Sequence, residues 1–249
     1  MMLGAVFAYV FAVKLGFPLF ISAFIALSLC AAYGVLVERL AVRPFVKRGS
    51  NAWLMATVAL GIVADNTVLF TFGKEPRGFQ MSWAQGGVEV AGVHVSHLQI
   101  LIPAIGLFLA GILNFCTKNT KTGKAMLAVV QNPEAARLMG INVPAVILGA
   151  YALSTAFAGA AGILIAPLFN VNADMGTVFG LKAFAVAILG GISSAWGVML
   201  AGLLFGVVEA LITSLLGSTY TQILSFALVI VALAAMPNGL FGRAEVKKV

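Results

Sequence analysis

Two acidic side chains lie in stretches of sequence that are otherwise apolar or uncharged. Asp65 is the only charged residue between positions 52 and 73, and Glu209 is the only one between 183 and 242. A charge at the centre of a lipid bilayer costs about 2.5–3.5 kcal/mol on insertion scales, so neither acid should face lipid. Each acid either lines a path for polar solutes or ions, or is a structural acid that is protonated or hydrogen-bonded to a neighbouring helix.

Small or polar residues recur at helical spacing beside both acids. The two series are Thr57, Gly61 and Asp65, and Gly202, Gly206 and Glu209. The first series repeats every four residues, and the second spans seven residues, which is nearly two helical turns. Small residues mark the faces where membrane helices approach each other closely. We therefore predict that both series face the interior of a helical bundle or a translocation path.

No other group of residues forms a recognised catalytic or metal-binding pattern. The sequence contains neither CxxC nor HExxH, and its two histidines, His94 and His97, lie in one polar stretch. Gly123 and Lys124 lack the upstream glycine and the following Ser or Thr of a phosphate-binding loop. We predict no cofactor, no metal site and no enzymatic activity. Energy for any driven process would come from another subunit or from an ion gradient.

The polar stretch 117–142 carries the signals of one short helix. Asn132 is a favourable N-cap, and Pro133 suits the first helical position. Glu134 would lie at the positive end of the helix dipole, and Gly140 is a natural residue to end the helix. These signals predict about two turns, from Pro133 to the residue before Gly140, which is too short to be stable alone in water. The helix therefore packs on something, either a partner protein or the membrane-side surface of its own chain.

The composition of the whole sequence indicates which kind of secondary structure positions the acidic residues and the short helix. Of 249 residues, 61% are hydrophobic and 9% are charged, and the mean hydropathy is +1.07. Soluble domains average about 45–50% apolar and about 25% charged residues. An apolar solvent accounts for this difference, so we predict an all-α, polytopic transmembrane bundle in contact with membrane lipid. The net charge of +7 does not indicate a nucleic-acid partner, because the basic residues are concentrated between apolar runs.

Eight apolar runs are candidate membrane segments, and we treat residues 1–249 as one transmembrane domain. The runs are 2–13, 15–37, 52–72, 98–116, 143–169, 183–193, 195–216 and 220–236. A spanning helix needs about 20 mostly apolar residues. The segment near 183–193 is shorter than that, so it is either a short crossing or a re-entrant segment.

The charges of the connecting segments predict their sides of the membrane. Segments 38–51 and 117–142 each carry four basic residues against one acidic residue, and the tail from Pro237 carries three against one. Segments 73–97 and 170–182 are balanced. Because cytoplasmic loops are enriched in Lys and Arg, the basic segments should be cytoplasmic and the balanced ones outside. Three crossings after residue 182 then return the C-terminus to the cytoplasm.

Six stretches in this sequence resemble, in the same order, the branched-chain amino acid ABC permease family. They are MLGA at 2–5, VERLAVRPF at 37–45, NPEAARLMGI at 132–141, LKAFAVAILGGISSAWG at 181–197, GLLFGVVE at 202–209 and PNGLFG at 237–242. The third stretch also resembles the EAA loop of ABC importer permeases, with the EAAxxxG spacing.

The resemblance implies a multi-pass subunit of the bacterial inner membrane. It would pair with a second, related permease subunit, bind two ABC ATPase subunits on the cytoplasmic side and receive substrate from a periplasmic substrate-binding protein. The segment 117–142 would be its cytoplasmic coupling loop, with the short helix in a groove of an ATPase subunit. The residues that match the coupling motif are Asn132, Pro133, Glu134, Ala135, Ala136, Arg137 and Gly140.

Members of that family usually carry a further apolar helix and an Asn-Phe-Ala-His-Gly stretch before the segment that matches MLGA. This sequence starts at MLGA, so the expectation is a misassigned start, a truncation that removes an N-terminal helix, or a member that dispenses with that helix. Two other functions also stay open. One is a permease for urea, amides or sugars from the same superfamily. The other is an ion-coupled secondary transporter that uses Asp65 and Glu209.

Overall fold

A computed structural model describes residues 1–47, 52–73, 75–79, 86–90, 93–192, 194–235 and 239. These residues form α-helices and one β-hairpin. The helices are α1 Met2–Tyr9, α2 Leu19–Val37, α3 Arg43–Lys47, α4 Trp53–Phe72, α5 His97–Asn119, α6 Lys121–Gln131, α7 Pro133–Leu138, α8 Val143–Phe169, α9 Met175–Gly190, α10 Ala195–Leu216 and α11 Ser218–Ala235. The strands are β1 Gly87–Val90 and β2 Val93–Ser96, and two π-helical turns occupy Val10–Lys14 and Glu38–Val42.

Five helical segments in the described part of the chain are long and apolar enough to cross a membrane. They are Leu19–Val46, Trp53–Phe72, His97–Asn119, Val143–Phe169 and Ala195–Leu216. Shorter apolar helices cover Met2–Lys14, Met175–Gly190 and Ser218–Val231. The predicted all-α, polytopic class is therefore confirmed, whereas the number of crossings, about eight, stays a prediction.

The predicted runs 143–169 and 195–216 coincide with α8 and α10 because local signals mark their ends. The Asn142 side chain accepts a hydrogen bond from the main-chain N–H of Ala145 (3.2 Å) at the start of α8. Ser194 accepts one from Gly197 (3.1 Å) at the start of α10. These are N-cap interactions, which satisfy main-chain donors that a helix start leaves free. Gly217, with φ of +82°, ends α10.

The predicted boundary between segments 170–182 and 183–193 is wrong. Helix α9 begins at Met175 and ends at Gly190, so Lys182 lies inside the helix instead of at the end of a loop. Lys182 forms an ion pair with Glu209 of α10. This compensation lets a charged residue occupy an apolar helix.

Two basic segments that were expected to be loops are largely helical. Segment 38–51 continues α2 through the π-helical turn and α3 to residue 47, and residues 48–51 lie outside the described part. Segment 117–142 contains α6 as well as the predicted short helix, and Thr120 caps α6 by accepting from Gly123 N–H (3.0 Å). The concentration of basic residues in these segments therefore does not indicate where a helix stops.

The two segments that were predicted to be outside meet each other. Arg77 and Val171 exchange two main-chain hydrogen bonds, each 2.9 Å long. Between these residues in sequence, the antiparallel hairpin β1–β2 pairs Gly87 with Ser96, an element that the all-helical prediction lacked. The bridge brings the two segments together at Arg77 and Val171, and the side of the membrane on which they lie stays a prediction.

Cysteine labelling tests the predicted orientation. We expect a membrane-impermeant maleimide to label Asp174→Cys in intact cells and to label Lys121→Cys only after the membrane is opened. Both positions are exposed. The background should carry Cys116→Ala, because Cys116 is exposed, whereas Cys30 is 3% exposed and can stay. Labelling of Lys121→Cys in intact cells would reverse the assigned topology.

The chain divides into two compact units, residues 1–102 with 117–177, and residues 103–116 with 178–249. In the first unit, α1, α2 and α8 approach closely at glycines. A Cβ atom at Gly34 would clash with Thr155 and the main chain of Tyr151, and one at Gly159 would lie 2.7 Å from Cys30 Sγ. Such contacts between small residues are typical of membrane helix interfaces.

In the second unit, α9, α10 and α11 surround one buried apolar cluster. Its members are Ala185, Leu189, Ala201, Phe205 and Val229. The hydroxyl groups of Thr213 on α10 and Thr221 on α11 are 2.9 Å apart and share a hydrogen bond. Apolar packing and this polar contact together join α10 to α11.

Candidate functional site

The short helix α7 begins at Pro133, as predicted, and ends at Leu138, one residue earlier than predicted. At its start, the Asn132 side-chain oxygen accepts hydrogen bonds from the N–H groups of Glu134 and Ala135, both at 3.0 Å. At its end, Gly140 N–H donates to the Arg137 carbonyl and Ile141 N–H donates to the Ala136 carbonyl, both at 3.0 Å. Gly140 has φ of +81°. These contacts form a Schellman motif, which requires a left-handed residue at that position.

One face of α7 packs on the same chain. Ala136 is 4% exposed and belongs to a buried cluster with Val129 of α6 and Val143 of α8. Ile141 packs against this cluster. A helix of six residues is not stable alone in water, so these contacts with α6 and α8 are what hold it in place.

The outward side of this segment is apolar. Leu138 is 89% exposed and Met139 is 83% exposed, although both lie in a polar, basic region of the sequence. Val130, at the end of α6, is also exposed. Exposed large apolar side chains that adjoin one another are typical of protein-binding surfaces. Sequence motifs did not indicate these residues; the available signal was the pair of large apolar residues immediately before Gly140.

Asp65 on α4 lines a cavity in the first unit. The Thr177 hydroxyl donates a hydrogen bond of 3.1 Å to Asp65 Oδ2. The cavity has a volume of about 280 Å³, and Gly61, Tyr33 and Thr155 also line it. A single carboxylate among hydroxyl groups and small residues can accept hydrogen bonds from a polar solute.

Thr57, the remaining member of the series Thr57, Gly61 and Asp65, has a different environment. The hydroxyl of Thr57 donates to the main-chain oxygen of Leu54 at 2.7 Å, and Thr57 is not among the residues that line the cavity. Gly61 and Asp65 are thus brought together at one cavity. Their role in a translocation path stays a prediction.

Glu209 has a partner that its sequence surroundings did not indicate. Its carboxylate forms an ion pair with the Lys182 ammonium group across α9 and α10, and both side chains are partly exposed. Gly202 faces α9, because a Cβ atom there would lie 3.6 Å from Val186 Cγ1. Gly206 is exposed and faces open space instead of another helix of its unit. The predicted series therefore has one packed glycine and one open glycine.

Nearly the whole chain matches a known protein family. A family described as "Branched-chain amino acid transport system / permease component" matches residues 1–233. The chain belongs to this permease family. It is a multi-pass membrane protein, as its apolar helices also indicate.

Relatives of this permease are named as permease proteins of transport systems. The high-affinity branched-chain amino acid transport system permease protein LivH of Salmonella typhimurium is 34% identical over 90% of this chain and 74% of its own length. The corresponding protein BraD of Pseudomonas aeruginosa is 32% identical over 88% of this chain and 73% of its own. The galactose/methyl galactoside import permease protein MglC of Salmonella typhimurium is 30% identical over 72% of this chain and 51% of its own. No solved structure matches this permease.

Proposed function

We propose that this permease is the membrane-spanning subunit of an ATP-binding-cassette importer that moves branched-chain or related amino acids across a bacterial inner membrane. The names of the LivH and BraD relatives support the substrate class. The observation that carries the coupling role is α7, a capped helix that is anchored on its own chain and presents Leu138 and Met139 outward. Such a helix is a suitable contact for an ATPase subunit.

The packing of α7 provides a route for coupling. Ala136 belongs to the same buried cluster as Val143, and Val143 is the first residue of α8. A force applied to α7 by a closing ATPase would therefore act directly on the start of a membrane helix. Glu134 and Arg137 are exposed on the same segment and are available for polar contacts with that subunit.

The proposed assembly contains two ATPase subunits, a second permease subunit and a periplasmic substrate-binding protein. The whole chain, in both of its compact units, would serve as one permease domain. ATP would be hydrolysed in the ATPase subunits, and the permease itself would require no cofactor. Within the described residues, no group of three or more His, Cys, Asp or Glu side chains could hold a metal ion.

A sugar is the second candidate substrate, because the galactose permease MglC is also related to this chain. An uptake measurement separates the candidates. In the source organism, deletion of the gene should remove uptake of low concentrations of L-leucine and leave galactose uptake unchanged.

A tagged permease should co-purify with an ATPase subunit, and proteoliposomes with the purified complex and binding protein should require ATP for uptake.

The opposite outcomes identify the alternatives. Loss of galactose uptake with normal leucine uptake would assign a sugar. Uptake that collapses with a protonophore, yet continues in proteoliposomes without ATP, would assign an ion-coupled transporter and refute the importer.

A further inference from the structure

The ion pair between Lys182 and Glu209 lies well inside two apolar helices. These are the only charged residues between positions 175 and 235. Each is seven residues from the nearer end of its helix, which corresponds to about 10 Å at 1.5 Å per residue. Ionisable groups at such depth are costly unless they pair with one another or face water.

This pair is not enclosed. The Lys182 side chain is 21% exposed and the Glu209 side chain is 25% exposed. Gly206 precedes Glu209 by three residues, which places it on the same side of α10, and the space around it is open. A polar solute therefore has room to reach both charged groups from the side of Gly206. Because lipid is an unfavourable neighbour for charged groups, this side should face water or polar solute.

We propose that Lys182 and Glu209 form a transient binding site for the zwitterionic head group of an α-amino acid. The Lys182 ammonium group binds the substrate carboxylate, and the Glu209 carboxylate binds the substrate ammonium group. This assignment rests on the proposed function as an amino-acid importer. One ion pair within the protein is exchanged for two with the substrate, so the net charge of the site stays zero and no charge is left unpaired.

The site recognises the part that all α-amino acids share and makes no contact with the substrate side chain. Sugars and urea carry neither charge, so they cannot replace the two partners of the ion pair. Charge-assisted hydrogen bonds are about twice as strong as neutral ones, which gives the zwitterion an advantage over uncharged solutes of similar size. The pair thereby contributes specificity for amino acids within a permease family that also has a sugar-importing relative.

The test uses the complete transporter in proteoliposomes, with L-leucine as the probe. The double variant Lys182→Met, Glu209→Gln removes both charges while it nearly preserves side-chain size, so no lone charge remains to prevent folding. We expect normal membrane levels and a KM for uptake that rises at least about tenfold, because the charge-assisted contacts with the zwitterion are lost. A double variant with the KM and kcat of the wild type would refute the site.

A second pair of variants tests whether substrate reaches the ion pair from the side of Gly206. Both variants leave Lys182 and Glu209 unchanged. Gly206→Leu fills the open space beside the pair, and Leu204→Phe adds bulk to another exposed side of α10. We expect Gly206→Leu to lose uptake about tenfold or more, whereas Leu204→Phe keeps it. Equal uptake by both variants would refute the site even if the double charge variant fails to fold.

Uptake by the wild-type transporter distinguishes a failure of this binding site from a failure of the proposed function. If the wild-type complex imports no amino acid with ATP, the importer assignment fails, and the site fails with it. If the wild type imports leucine and all variants match it, only the site fails.

Discussion

The Gly140→Val permease should reach the membrane in normal amounts and lose most of its uptake. Gly140 has φ of +81°, a conformation that a β-branched side chain avoids, at a cost of about 1–2 kcal/mol. Valine would open the two hydrogen bonds that end α7 and would displace Leu138 and Met139, which immediately precede it. The expected result is a loss of ATP-dependent uptake together with a loss of ATPase subunit on purification through a tagged permease.

Gly16→Val is the matched control for this variant. Gly16 also has a positive φ, +70°, and is exposed, and a Cβ atom added there would have no neighbouring atom within 4 Å. It lies between α1 and α2, far along the chain from α7. The backbone strain is comparable, so Gly16→Val should keep both the ATPase subunit and uptake. Full uptake and retained ATPase in Gly140→Val would refute the coupling role and favour the ion-coupled alternative.

Replacing Gly159 by valine should sharply lower the amount of folded permease. The added Cβ atom would lie 2.7 Å from Cys30 Sγ and 3.0 Å from Cys30 Cβ, closer than normal contact. The main chain of Gly159 also touches α1 at Gly4, so α8 cannot shift away from α2 without disturbing α1. Overpacking of this kind costs about 1–3 kcal/mol and can cost more where neighbours are rigid. Fluorescence-detected thermal unfolding in detergent should show a lower Tm.

Gly149→Val provides the control on the same helix. Gly149 is exposed, and a Cβ atom there would have no neighbour within 4 Å, so this variant should unfold near the wild-type Tm. The smaller substitution Gly159→Ala should also lower the Tm. Adding Cys30→Ala to that variant should restore part of the lost Tm, because it removes the sulfur atom that the new methyl group contacts. A Tm for Gly159→Val equal to that of Gly149→Val would show that α2 and α8 are not closely packed.

Several features of this permease were predictable because their causes are local in sequence. The start of α8 and both ends of α10 follow from Asn142, Ser194 and Gly217, each acting on main-chain groups within four residues. The caps of α7 at Asn132 and Gly140 are local for the same reason. The membrane class follows from the average composition, which does not depend on any particular contact.

The remaining features depend on contacts between residues that are distant in sequence. Lys182 is 27 residues from Glu209, so nothing near Lys182 indicates that its charge is compensated. Periodicity predicted a common face for Gly202 and Gly206, yet only the positions of neighbouring helices decide that one is packed and the other open.

The orientation of the α7 side chains also depends on contacts with distant parts of the chain. Its caps are encoded locally, but the burial of Ala136 and the exposure of Leu138 and Met139 depend on where α6 and α8 lie. The sequence by itself therefore determined the membrane class, the caps of α7, the start of α8 and both ends of α10. Only the tertiary structure decided which charges pair and which faces stay open, because both depend on packing between helices that have apolar residues on every side.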